Sequence, residues 1–367
     1  MSFENKAGKL TAAIESCGGF DNFMDTMLPE LIEAEKGKTP LMQPEDFSLK
    51  EISEAVNTSQ FPILTGSLLA KKVMDAYNQF DSVLSKLVTP FKSNLQTDRI
   101  AGAYLKGDLE EIAEGAPYPH SGDIAEKYVT VGGTKRGEIL DVTEENVKFD
   151  QTGLVMMRAS QFGNRAAVDR ERRGMYTIQD ATVDGVNHYA WYPSGTRIAL
   201  YSDTASGAHR LDNNIVDVLG DYTDIAAADA LLGVMTDENE EPIMAEAKIL
   251  LVPRTLKVTA LRIIKNEYMP ANSGSSVGFM EKNPFANTVE VLVSPFIDKV
   301  SANDWYYGDF KKQYVEKIIY PIQVLSRKDN KNDDAWERDI VASFKVRHFT
   351  QVAAVDFCYV IKSTGEG

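Results

Sequence analysis

Between residues 66 and 88 apolar side chains recur every three or four positions: Leu69, Val73, Tyr77, Phe80, Leu84 and Leu87. That spacing lines them along one stripe and predicts an amphipathic helix with a single face to bury, closed by Pro90. Upstream, Pro29, Pro40, Pro44 and Pro62 cut the chain into pieces too short to hold helices by themselves in water. The stretch to residue 97 therefore reads as an arm that lies against something else. No arginine precedes Arg99, so the composition shifts where such an arm would end.

The pattern then changes period. From 98 to 143, Gly107, Gly115, Pro117, Pro119, Gly122, Gly132, Gly133 and Gly137 punctuate short β-prone runs such as Tyr128–Val131 and Ile139–Val142. Two long polar strands here make a hairpin with no core of its own, and such a hairpin is marginal in water without a partner surface. At Thr143-Glu144-Glu145 a cap and first-turn acids predict a helix start. The run Leu154–Arg173 carries Val155, Ala159, Phe162 and Ala166 on one stripe and is expected to end basic, at Arg165, Arg170, Arg172 and Arg173 before Gly174. Cations suit a helix C-terminus, and Asp169 stands four residues before Arg173.

Residues 175–222 are mixed and loop-rich. A helix is expected after Thr223-Asp224, with Ile225, Ala228, Leu231, Leu232 and Met235 on its face, followed by an acidic turn over 237–242. Lys248–Pro253 reads as a buried strand, Leu256–Ile264 as a helix and Val289–Ser294 as an alternating strand. Phe344, Val346 and His348, then Val355, Phe357, Tyr359 and Ile361, alternate as closing strands. Isolated helices interleaved with widely separated strands predict an α+β fold with a mixed sheet, without solenoid repeats.

Composition narrows the function. The chain has 367 residues, 43% hydrophobic and 25% charged, which is ordinary for a globular protein. At roughly 150 residues per domain the length allows two or three units or one elaborated domain. Its 54 acids and 39 bases leave a net charge of -15, which argues against a broad phosphate-binding surface. Cys17 and Cys358 are too few for a disulfide framework and read as free thiols. With no apolar h-region at the N-terminus and no run approaching the ~18 residues of a spanning helix, neither classical secretion nor membrane insertion is expected. The Asn57-Thr58-Ser59 sequon is a chance match on that reading.

Catalytic patterns fail their context. Gly274-Ser275-Ser276-Val277-Gly278 matches a nucleophile elbow, but the lead-in Glu267–Asn272 is polar and broken, and Pro284 follows too soon for the helix an elbow requires. Gly132 and Gly137 stand at P-loop spacing, with Glu138-Ile139 where a lysine and a hydroxyl must sit. The acidic run Asp329–Asp334 lacks the sixth-position glycine of a calcium loop and has Ile340 in place of its closing glutamate. His120, His188, His209 and His348 show no metal-binding spacing, and His348 falls on the apolar face of a strand. No catalytic, cofactor or metal residue is assigned, and no cofactor is expected.

What stands out is an arm, a hairpin and a body whose outlying segments need covering by other copies. The runs Glu114–Pro119 and Tyr128–Glu138 resemble the extended E-loop of the major capsid proteins of tailed bacteriophages with the HK97 fold, and Val142–Asp150 with Arg165–Glu171 is similar to the start and body of their spine helix. Lys248–Pro253, Asn283-Pro284-Phe285, Val289–Pro295 and Phe344–Arg347 are similar to their axial and peripheral domains. The likeness covers roughly 98–367 and rests on the order of elements.

This resemblance implies an HK97-like α+β fold with an N-terminal arm at 1–97 and an E-loop at 98–142. It places the spine helix and the start of the peripheral and axial domains at 143–222. An axial domain with peripheral strands follows at 223–320, and C-terminal peripheral strands at 321–367. It implies self-assembly into pentamers and hexamers of an icosahedral head enclosing double-stranded DNA without sequence-specific binding. Portal and scaffolding or decoration proteins are the implied partners, with no membrane. Intersubunit contacts are expected at Glu111, Glu114, Tyr118, Lys127, Lys135, Arg136, Arg165, Arg170, Arg172 and Arg173. Lys127 and Lys135 are the loop lysines available for the covalent cross-link that some members form. Three rivals stay open: an encapsulin-like nanocompartment shell, a soluble serine hydrolase using Ser276, and a β-rich adhesive or tail protein.

Overall fold

The computed structural model describes residues 61–105, 111, 112, 114, 124–143, 145, 154–180, 189–191, 197–203, 211–237, 240–270, 280–326 and 339–365. The first elements are helices α1 (Phe61–Asn78) and α2 (Leu84–Leu87), then β1 (Thr89–Lys92), β2 (Thr97–Leu105), β3 (Ile124–Gly132) and β4 (Lys135–Thr143). Next come the long helix α3 (Leu154–Gln179), short strands β5 (Tyr189–Trp191), β6 (Arg197–Ala199) and β7 (Asn214–Ile215), and helix α4 (Tyr222–Gly233). Then follow β8 (Ile249–Val252), α5 (Lys257–Lys265), β9 (Tyr268–Pro270), β10 (Met280–Lys282), β11 (Glu290–Val293) and β12 (Trp305–Gly308). The chain closes with α6 (Phe310–Gln313), β13 (Tyr314–Ser326), β14 (Ile340–Ala354) and β15 (Val360–Ser363). Two compact units result, one of Met1–Asp81, Arg136–Val168 and Ile322–His348, the other of Ser82–Lys135, Asp169–Pro321 and Phe349–Gly367.

The first unit buries Leu68, Leu69 and Val73 of α1 and Ala159 of α3 against Val142 of β4 and Phe344 and Val346 of β14. Each such aliphatic side chain contributes about 1.5–3 kcal/mol by leaving water. The two helices approach closely at Gly163, where a Cβ would collide with the Val73 carbonyl oxygen. The alternation expected around Phe344 and Val346 is present, and His348 is buried beside them in β14.

The second unit is organised on a five-stranded mixed sheet of order β11-β8-β12-β15-β7. Strand β8 is buried at all four positions because both sheet faces are covered. Ile249 and Leu251 join Tyr306 and Val360 in a core completed by Leu84 and Leu87 of α2, Met175 and Ile178 of α3, and Phe310. Leu250 and Val252 join Trp305, Tyr307 and Ile361 in another, under Ile225, Ala228 and Leu232 of α4 and Ala260, Ile263 and Ile264 of α5. Helix α4 starts one turn earlier than the sequence suggested: Asp221 is the cap, accepting from Thr223 N at 2.8 Å, while the Asp224 carboxylate accepts from Asp221 N at 3.0 Å.

Several expectations are corrected. The stripe from 66 to 88 is two helices, because a turn at Gln79-Phe80 ends α1, and Glu171 caps the new start by accepting from Leu84 N at 2.9 Å. Pro90 lies in β1, an edge strand beside β13, where a missing N–H is tolerated. Thr143 closes β4 and Glu145 is already helical, in keeping with the start expected there; the described part of the long helix begins at Leu154. That helix does not stop at Gly174. Leu84 packs where a side chain at Gly174 would go, and the helix runs on through the buried Met175, Tyr176 and Ile178. The arginines therefore stand in the helix interior, and its last turn holds no basic residue. The run Val355–Tyr359 is a bend between β14 and β15, with Asp356 Oδ1 accepting from Phe357 N at 2.7 Å and both Phe357 and Cys358 turned into one core.

Candidate assembly interface

The hairpin expected around residues 98–143 is formed by β2 and β3, which pair antiparallel from Thr97 opposite Gly132 to Leu105 opposite Ile124. β4 is not its second leg; it joins a separate sheet of order β1-β13-β14-β4. Nine paired residues at about 3.3 Å each give legs about 30 Å long. The foot of the hairpin is anchored, since Val129 and Val131 are buried. Above it, the Arg99 guanidinium lies over the Tyr128 ring, 5.1 Å from its centre, which ties the strands diagonally.

The loop charges divide by position. Glu111 and Glu114 lie in the segment joining β2 to β3, and both are exposed. Lys127 stands in β3 opposite Gly102. Lys135 and Arg136 are the first residues of β4 and are exposed. Tyr118 lies outside the described residues. So do His120, His188, His209, Cys17, the Gly274–Gly278 pattern and the acidic run 329–334.

The four α3 arginines expected at contacts between copies are each engaged within the chain. Arg165 reaches Glu138 of β4 at 3.2 Å, an exposed pair. Arg170 grips Glu316 of β13 with two donors, at 2.6 and 2.5 Å, and this pair is almost dry. Arg172 and Arg173 converge on Asp169 at 2.6 and 3.1 Å, along the helix surface. Sequence spacing contained the Asp169 pairs at three and four residues; Arg170 to Glu316 spans 146 residues and left no local signal. Sequence reasoning also passed over Glu171, which accepts from Ser82 Oγ at 2.6 Å and from Leu84 N. Burial pushes its carboxyl above the usual range, against the pull of those hydrogen bonds and of Arg170.

Among the described residues no reaction centre is assembled. Gly132 ends β3 and Gly137 sits within β4, its Cα facing the Val346 carbonyl, so the phosphate-loop spacing belongs to extended strands. A cavity of about 580 Å³ in the first unit is lined by Ala70, Met74, Ile322, Val324 and Leu325 with Lys71, Gln323 and Arg347, and brings in no carboxylate, hydroxyl, thiol or imidazole. Among the described residues no group of three or more His, Cys, Asp or Glu is placed to hold a metal, and no helix is long and apolar enough to cross a membrane. Tyr201, Tyr306 and Tyr314 are buried together, the Tyr201 and Tyr314 hydroxyls 2.6 Å apart. Desolvation raises all three phenols, so they remain neutral packing groups.

A family model described as phage capsid protein matches residues 128–363. No curated protein matches the chain. Among solved structures, the capsid of a native GTA particle is similar with a TM-score of 0.50 and 10% identity, covering 92% of this chain and 98% of that one. The capsid of the cyanophage P-SCSP1u is similar with a TM-score of 0.53 and 10% identity, covering 77% and 88%.

Proposed function

We propose, on the premise that this chain belongs to the phage capsid protein family, that copies of it form pentamers and hexamers and close into an icosahedral head around double-stranded DNA. It is a structural, non-enzymatic protein of a tailed-phage capsid with an HK97-like α+β fold, and its place is the virion shell. On this reading residues 1–97 are the arm, 98–142 the E-loop and 143–222 the spine helix with the start of the body. The axial region is 223–320, and 321–367 supplies the closing peripheral strands. Assembly takes place in the host cytoplasm, with portal and scaffolding or decoration proteins as partners.

The observation that carries this reading is the β2–β3 hairpin, a two-stranded sheet whose joining segment exposes Glu111 and Glu114. Two strands alone are marginal in water, and a neighbouring copy supplies the missing surface in an interface of more than ~1,000 Å². Glu111, Glu114, Tyr118, Lys127, Lys135 and Arg136 are the proposed contact residues on the loop side. On the helix side Arg165 is the readiest to exchange partners, since its present pair is open to water. Arg170, Arg172 and Arg173 join the contact through the surface they shape while holding Glu316 and Asp169. A net charge of -15 keeps the subunit from adhering to packed DNA, so the shell contains DNA without binding its sequence.

The test uses the register. Leu105 and Ile124 face each other, so a two-residue turn can join them in place of residues 106–123. The expected product is a folded subunit or capsomer that yields no shells by electron microscopy. Normal shells from this variant would overturn the proposal.

A further inference from the structure

Two consecutive residues of β13, Glu316 and Lys317, are 2% and 1% exposed and carry opposite charges. Successive side chains of a strand point to opposite faces. Glu316 is taken up by Arg170 of α3. Lys317 serves the hairpin: its Nζ lies 2.7 Å from Asp98 Oδ2 and donates to the Gln96 carbonyl at 3.1 Å and to the Val131 carbonyl at 3.2 Å. Of the three protons of this ammonium two go to carbonyl oxygens, and its charge is met by the Asp98 carboxylate as an ion pair.

Those oxygens come from both legs. Gln96 and Asp98 stand at the foot of β2, and Val131 at the foot of β3. Gly133 N also donates to the Gln96 carbonyl, at 3.1 Å, closing the base of the ladder. A buried ammonium is strongly disfavoured unless its protons are all used, so any movement of either foot away from β13 leaves a charge stranded in a dry site. Arg99 on Tyr128 holds strand to strand, and the buried Val129 and Val131 seat the foot beside the ammonium, which is the contact that takes oxygens from both legs.

We infer that Lys317 is a latch that sets the direction in which the hairpin leaves the body, and that opening it lets the two legs pivot together with their mutual pairing intact. The latch is built to stay shut. Lys317 and the Ser93 hydroxyl hold the Asp98 carboxyl below its ordinary range, so it remains charged at neutral and mildly acidic pH. Glu316, the neighbouring charge of β13, is occupied with Arg170 of α3.

Hydrogen exchange read by mass spectrometry on the full-length, unassembled chain tests this independently of shell formation. In Lys317→Met, and more mildly in Asp98→Asn, peptides covering 97–105 and 124–132 are expected to exchange at least roughly tenfold faster, while 249–252 and 305–308 keep wild-type protection. Arg170→Met combined with Glu316→Leu, which removes the charge pair on the opposite face without stranding either partner, serves as the control and should leave the hairpin peptides unchanged. Unaltered hairpin protection in both latch variants, equal loss throughout the body, equal loss in the control, or a hairpin already unprotected in the wild type would each overturn the assignment. Asp98→Asn keeps the test informative if Lys317→Met does not fold.

Discussion

The five-stranded sheet and the β2–β3 hairpin are both β-structure, yet they are stabilised in opposite ways. The sheet is apolar on both faces, with Leu251 and Tyr306 on one side and Leu250 and Trp305 on the other, all fully buried. The hairpin is a ladder of two strands fastened at its foot by Val129, Val131 and a buried ammonium, and extended toward exposed acids. Burial of large side chains fixes the first whatever the assembly state. The second has so little to bury that its environment must come partly from elsewhere. A shell subunit needs both: a body that holds its shape alone and an extension that gains most from a neighbour.

The contrast can be broken most forcefully in the sheet. Leu251→Ala should cost about 2–5 kcal/mol in denaturant-unfolding experiments, since it removes the core side chain and leaves a cavity between packed layers. Next comes the anchor of α3. Arg170→Met alone strands the buried Glu316 carboxylate and should cost about 3–5 kcal/mol, whereas Arg170→Met with Glu316→Leu should recover most of that loss. A double variant no more stable than the single one would mean that packing of the arginine stem, and not the charge, holds the helix.

Glu171 sharpens the picture through pH. Its folded-state pKa is raised by burial, so its contribution favours folding most below the unfolded value of about 4.3 and is lost as pH rises through the folded value. Glu171→Gln keeps an acceptor for Leu84 N and offers its amide N–H to the Ser82 hydroxyl, and should change stability at pH 7 by no more than about 1 kcal/mol. It should also flatten the pH dependence from pH 4 upward, as followed by thermal unfolding. Asp98 runs the other way: its lowered pKa gives a contribution present above about 3.9 and lost as pH falls. Acid should therefore loosen the hairpin foot at a pH where Glu171 is already at ease. The smallest effect belongs to Arg165→Ala, whose exposed pair with Glu138 should be worth less than about 0.5 kcal/mol to the isolated subunit. A larger fall in shell yield than in stability would place Arg165 at a contact between copies.

Much of the body was legible in the chain. The run Ile249–Val252 reads as a strand buried on both faces because nothing polar interrupts it, and the face of α4 follows from Ile225, Ala228 and Leu232 at helical spacing. No comparable pattern marks β13. Glu316 and Lys317 look like a solvated pair in sequence, and Pro321 breaks the strand pattern, yet the strand runs unbroken from Tyr314 to Ser326. The same blindness affected the arginines of α3. A basic cluster before a glycine has the form of a helix end, and only the packing of Leu84 against Gly174 shows that the helix continues.

By itself the sequence determined the class of the protein: an α+β chain whose catalytic-looking spacings fail their context, with an outlying hairpin and a likeness to capsid proteins carried by the order of its elements. Periodicity, turn residues and the absence of catalytic spacing are local properties, and they survive without knowledge of what lies across the fold. Tertiary structure alone decided which strand partners β2, where α3 ends, and that Arg170 and Lys317 bind Glu316 and Asp98. The charge pairs depend on partners 146 and more residues away and on the cost of leaving a buried charge unpaired, and the end of α3 depends on Leu84 packing against Gly174, none of which is a local property of the chain.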